Sequence, residues 1–157
     1  MLKVKLKMLK TLKVRELDGI LVENIDDGPY FKDQSSPKMV ALFTKILFEV
    51  KDAVSLPLGV NVLRNSAKTA LALAYVSNCK FIRANVLIEA YLTDQGIIEG
   101  NSAKLLKYRR CLNAENIAIF ADIRVKHATP LAVRSVSDSA SDALERGGVD
   151  ALIFTGR

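Results

Sequence analysis

Six polar residues interrupt short apolar runs in this chain. They are Glu23 in GILVEN, Asn61 in LGVNVLR, Arg83 and Asn85 in FIRANVL, Asp122 in IAIFADIRV, and Lys126 just beyond it. A strand covered by helices on both faces reads as nearly all apolar, so each interruption calls for a reason, and the interruptions follow period two. Ile117, Ile119, Ala121, Ile123 and Val125 alternate with Phe120, Asp122, Arg124 and Lys126. Ile82, Ala84 and Val86 oppose Arg83 and Asn85, Val60 and Val62 oppose Asn61, and Ile20 and Val22 oppose Leu21 and Glu23. Successive side chains on a strand point to opposite sides, so one face packs on helices and the other is polar. Asp122, Lys126 and Glu23 are the candidate catalytic groups, and Asn61, Arg83 and Asn85 the candidate ligand contacts. Lys126 could serve as a Schiff-base amine, which needs a depressed pKa, or as a phosphate anchor or a pairing partner. The plainer reading is a set of interior ion pairs, Asp122 with Lys126 and Glu23 with Arg83, and such pairs are weak grounds even for stability.

Two further places carry polar groups near strand ends. His127, the sole histidine, follows Lys126 and should point the opposite way if the strand persists, unless a bend over 127–130 swings it inward. The segment Thr93–Gly100 (TDQGIIEG) reads as a loop joining a strand end to a helix, with Asp94, Gln95 and Glu99 as polar tips over the mouth.

The elements that must position these residues alternate. Strands are expected at Gly19–Asn24, Leu58–Arg64, Phe81–Leu87, Ile117–Val125 and Ala151–Thr155, where Thr155 shares a face with Ile153. Helices are expected at Pro37–Val54, Ser66–Ser77, Ala103–Leu112 and Val136–Arg146. The first opens on a serine cap and Pro37, and the last ends at Gly147-Gly148. Strands alternating with helices imply right-handed βαβ units and a parallel sheet in one α/β domain. If the sheet is part of a barrel, the polar face is its interior, and the polar residues gather at the C-terminal ends of the strands, where such barrels hold their sites.

Composition narrows the function classes. The 157 residues are half hydrophobic and one quarter charged, an ordinary globular balance. The formal charge of +6 is concentrated in Lys3, Lys5, Lys7, Lys10, Lys13 and Arg15. Basic and aromatic residues are not interleaved, which argues against nucleic acid as a partner. No apolar run approaches the ~20 residues of a membrane span, and the alternating start forms no signal-peptide core, so cytosol is the default. Residues 1–16 fit an amphipathic strand or a short helix. Cys79 and Cys111 match no metal or redox spacing and read as small buried hydrophobes in a reducing compartment. A histidine-rich zinc site is excluded, and the identity of any cofactor is left open by the sequence.

GILVEN with its acidic turn and Pro29, then LGVNVLRN, FIRANVL, TDQGIIEG, IFADIRVKHATPL and DALERGGVDALIFTG resemble the BtpA family in order and spacing, over about residues 17–156. The resemblance implies a fold similar to phosphate-binding (β/α)8 barrels. The family's founding member is linked to photosystem I accumulation, and other members are taken as enzymes of unassigned substrate. Carried over residue by residue, it marks Glu23, Asn24, Asn61, Arg64, Asn65, Arg83, Asn85, Asp94, Gln95, Glu99, Asp122, Lys126 and His127. The chain departs from the pattern at Ser66, where the family has an acid, at Glu89-Ala90, where it has a small Gly-containing stretch, and at Arg124, which is usually not arginine. Each departure changes the charge expected beside the site. Against that family the chain is expected to hold strands two to six of an incomplete TIM-type (β/α)8 barrel, with the basic segment 1–16 in place of strand one and the phosphate site after strands seven and eight absent. The functions implied are a binder or enzyme for a small anionic (phosphorylated or carboxylated) metabolite, a non-enzymatic assembly or stability factor, or a non-functional fragment. The open edges imply self-association, a complementary barrel fragment, or cover from the N-terminal segment.

Overall fold

The computed structural model describes residues 17–154. The expectations for residues 1–16 and for Thr155 lie outside them. The described elements run β1 (Ile20–Glu23), a 3-10 turn (Ile25–Asp27), α1 (Pro37–Ala53), β2 (Leu58–Asn61), α2 (Ala67–Val76), β3 (Phe81–Ala84), β4 (Ala90–Thr93), β5 (Gly96–Glu99), α3 (Ser102–Cys111), β6 (Ala118–Ile123), β7 (Thr129–Pro130), α4 (Val136–Glu145) and β8 (Ala151–Phe154).

Local chemistry sets the helix ends. Ser36 Oγ accepts from the Met39 amide at 3.1 Å, and Pro37 supplies a preset φ in the first turn of α1. Ser135 caps α4 in the same way, on the Asp138 amide at 3.0 Å. The chain leaves α4 through Gly147, where a Cβ would sit 2.5 Å from the Ala143 carbonyl oxygen, and Gly148, at φ +63°.

β1, β2, β3, β6 and β8 form one parallel sheet in that order. Each new strand joins on the same side, without the reversal that defines doubly wound sheets. Right-handed crossovers in such a sheet bring the helices to one face. There Phe43, Leu47 and Val50 of α1, Leu71 and Ala74 of α2, Leu105 of α3 and Ala143 of α4 pack on Val60, Ile82, Ile119 and Ala121 as one core. The opposite face holds the alternate residues in rows. Glu23, Asn61, Arg83, Phe120 and Ala151 are in register across the sheet. One row toward the N-terminal ends, Phe81 stacks on Phe120 with centroids 4.8 Å apart and fills the space over Gly59, where a Cβ would lie 2.0 Å from the Phe81 ring.

Three expectations are corrected. The three central strands are shorter than their apolar runs, because the chain turns out of the sheet after Asn61, Ala84 and Ile123 to build the loops of the mouth. Thr93–Gly100 is not a loop running into a helix. It lies in an antiparallel hairpin of β4 and β5 that turns at Asp94-Gln95, with Gly96 at φ +89°, and β7 pairs on the other side of β4. This second sheet has its own small core of Val86, Tyr91, Ile98 and Val125. Of the two cysteines only Cys79 is buried, and burial pushes its thiol pKa up. Cys111 ends α3 on the solvent side and is exposed.

Candidate functional site

A cavity of about 550 Å³ opens at the C-terminal ends of β1, β2, β3 and β6. Its walls include Glu23, Arg83, Asn85 and Asp122 at depth, with Arg64, Lys126, His127 and Tyr30 around them. The sheet brings the deep residues together, since neighbouring parallel strands place equivalent side chains side by side.

A single charge network runs through them. Arg83 donates from Nε to Asp122 Oδ1 and from Nη2 to Asp122 Oδ2, both at 2.8 Å, a bidentate pair. Asn85 Nδ2 donates to Asp122 Oδ2 at 3.1 Å. On the other side Arg83 Nη1 lies 3.6 Å from Glu23 Oε2, which also accepts from Asn61 Nδ2 at 3.0 Å. The Asp122 side chain is 1% exposed, that of Arg83 18% and that of Glu23 26%. The hydrogen bond to Asp122 holds the Arg83 pKa above its ordinary value, outweighing the opposing push of burial. The expected Glu23–Arg83 contact is present, and Asp122 takes Arg83 across the strands as its bidentate partner.

The loops beyond the strands are tied to one another. Asn24, buried, accepts the Leu63 amide on its Oδ1 at 2.8 Å. Asn65 both donates to the Val86 carbonyl and accepts from the Val86 amide at 2.9 Å. Arg64 donates from Nη2 to the Lys126 carbonyl at 2.9 Å. Asn24 and Asn65 therefore shape the mouth through main chain. Strand alternation breaks after Ile123, with Arg124 and His127 both at φ +59°. That break brings the adjacent Lys126 and His127 to the same cavity.

Asp94, Gln95 and Glu99 are not in its wall. Asp94 and Gln95 form the hairpin tip, where Thr93 Oγ1 accepts from the Gln95 amide. Glu99 lines a separate hollow with Glu89, Ser102, Arg134 and Asp142. Two departures from the family pattern meet near that hollow and not in the cavity. Glu89 accepts from Ser139 Oγ at 2.6 Å and from the Tyr91 hydroxyl at 2.9 Å, and Arg124 donates to the Arg134 carbonyl at 2.7 Å. Tyr30 was not singled out from sequence. It lines the cavity, and its hydroxyl donates to the Ile25 carbonyl. Burial, then the Asp26 and Glu23 carboxylates, push its pKa up. The Gly28-Pro29 turn at the end of a polar-faced strand is the signal that could have pointed to it.

Chemically, the site combines a guanidinium clamped between two carboxylates with cations nearer solvent. No helix among the described residues is long and apolar enough to cross a membrane.

The comparisons with known proteins agree on one family. The profile of the BtpA family matches residues 3–157, which takes in most of the basic N-terminal segment as well. The chain is 46% identical over 140 residues to the photosystem I biogenesis protein BtpA of Synechocystis sp., covering 89% of this chain and 48% of that protein. It is 41% identical over 152 residues to an uncharacterised protein of Methanocaldococcus jannaschii, covering 97% and 57%. An uncharacterised mitochondrial protein of Caenorhabditis elegans is 39% identical over 147 residues, covering 89% and 53%. The chain thus spans about half the length of the curated relatives it matches. No solved structure matches it. With a parallel sheet wound in one direction and a family profile matched across nearly its whole length, this chain belongs to the BtpA family.

Proposed function

We propose that this chain binds a small phosphorylated or carboxylated metabolite at the mouth of its parallel sheet, which represents a contiguous strip of a (β/α)8-type barrel. The observation that carries the reading is the cavity itself. It sits where such barrels bind ligands, and Arg64, Lys126 and His127 lie in its wall above a pre-organised Glu23–Arg83–Asp122 network. In this reading Arg64 and Lys126 hold the anion, Arg83 and Asp122 fix the geometry, and Glu23, the more accessible carboxylate, exchanges a proton with the ligand if a reaction takes place. Calorimetric titration with glycerol 3-phosphate tests it. Saturable binding is expected, weakened at least roughly tenfold by Lys126→Ala or Arg64→Ala at unchanged helical circular dichroism. Absence of saturable binding, or variants that bind like the wild type, refutes it.

A second reading rests on a different surface. Leu92, Ile97 and Leu131 stand exposed on the outer side of the β4–β5–β7 sheet, and an apolar face of this kind suits an assembly factor. The Synechocystis relative carries a biogenesis name. Among the described residues β1 and β8 also each pair on one side only, which favours self-association or a complementary fragment. Sedimentation as a monomer that Leu92→Lys/Ile97→Lys leaves unaltered would count against this reading.

A further inference from the structure

One side of the cavity wall is apolar, and the protein does not use it for its own packing. Ile25, Tyr30 and Leu63 line the cavity on the side of β1 and β2. Ile25 is 61% exposed, and Tyr30 and Leu63 are half-buried. None of the three belongs to either hydrophobic core of the described residues. All three are nevertheless held in place. The Tyr30 hydroxyl donates to the Ile25 carbonyl, and the Leu63 amide donates to Asn24 Oδ1 at 2.8 Å. The Arg64 amide donates to the Phe31 carbonyl at 3.1 Å, which joins the two loops that carry them. An isoleucine kept in water at the wall of a cavity, on a loop tied to its neighbour, is a surface that an apolar ligand group gains by covering.

The side of β6 differs in kind. There Lys126 and His127 stand exposed, and Arg64, next to Leu63 in the chain, reaches across to the Lys126 carbonyl at 2.9 Å. Size bears on the occupant as well. The cavity of about 550 Å³ falls within the range of about 300–1,000 Å³ that takes ligands of drug size, and a bare anion would leave most of it to water. From this arrangement we infer that the ligand is an anion that carries an apolar ring, with its charged group on Arg64 and Lys126 and its ring on Ile25, Tyr30 and Leu63. The inference rests on the anion-binding reading above and adds the class and orientation of the ligand. A ring suits this surface better than a flexible chain of the same size. It loses less rotational freedom on binding, and it can pack on the Tyr30 ring by offset or edge contact.

Phenyl phosphate and methyl phosphate carry the same phosphomonoester group and differ in the ring. Calorimetric titration of each into the full chain therefore isolates what the ring adds. Phenyl phosphate should bind roughly tenfold or more tightly than methyl phosphate. In Ile25→Ser that ratio should contract several-fold, with methyl phosphate bound as in the wild type. Helical circular dichroism should be unchanged in this variant, because Ile25 is exposed and lies outside both cores. Equal binding of the two phosphates by the wild-type chain, or a ratio that Ile25→Ser leaves as it was, overturns the inference and leaves the anion reading standing. Failure of both phosphates to bind overturns both. The wild-type ratio decides the matter even if Ile25→Ser does not fold.

Discussion

Replacing Arg83 by methionine should unsettle the protein more than any other single change at the mouth. The substitution removes both 2.8 Å bonds to an Asp122 carboxylate whose side chain is 1% exposed. Breaking a buried pair from one side costs about 3–5 kcal/mol, because the other charge stays behind. Arg83 itself keeps 18% of its side chain in solvent, which places the expected loss near the lower end, about 3 kcal/mol. The 3.6 Å contact to the more exposed Glu23 adds at most about 1 kcal/mol. For a chain of this length the melting temperature should fall by roughly 6–12 °C. Urea denaturation followed by far-ultraviolet circular dichroism measures the loss. The companion is Arg83→Met/Asp122→Asn, which removes the stranded charge yet keeps an acceptor for Asn85. It should be more stable than Arg83→Met by about 1–2 kcal/mol. The reasoning fails if Arg83→Met costs less than about 1 kcal/mol, or if the double variant is no more stable than the single one.

Two other outcomes can be checked in the same denaturation assay. The Tyr91 hydroxyl pKa is pushed up to about 12, by burial first and then by its bond to Glu89. An unfolded tyrosine titrates near about 10, so this contribution is complete below that pH and is lost as pH rises toward 12. The wild type should therefore lose stability through that window faster than Tyr91→Phe, and parallel pH profiles would refute the assignment. Gly59→Ala would put a Cβ 2.0 Å from the Phe81 ring and should cost about 1–3 kcal/mol. Most of that loss should return in Gly59→Ala/Phe81→Leu, and a Gly59→Ala variant as stable as the wild type would contradict the close approach.

Much of the sheet was legible because period two is a local property. Ile82 and Ile119 alternate with Arg83 and Phe120 in the sequence, and they go to opposite faces in the fold. Helix ends were legible for the same reason, since Ser36 and Pro37 act within one turn. What was not legible depends on conformation that no residue type announces. Arg124 and His127 adopt positive φ without being glycine, so the sequence offered an inward bend over 127–130 only as one alternative and did not place its start at Arg124. The hairpin was missed because its two strands are four residues each and its turn is Asp-Gln followed by Gly96, not the Asn-Gly pair that marks such turns. The bidentate pairing of Asp122 with Arg83 was not legible either, since strands set side by side bring Arg83 to it from 39 residues away.

The ties between the loops at the mouth bear on how such a site can change. Asn24 holds main chain after β2, Asn65 holds main chain after β3, and Arg64 holds main chain after β6. Parallel βα folds are often treated as scaffolds onto which loops are grafted one at a time. Here a transplanted β2 loop would need the asparagine of its neighbour to find its shape, and would carry the residues that shape two others. A mouth of new shape would have to be acquired, or engineered, by exchanging the four loops as a set.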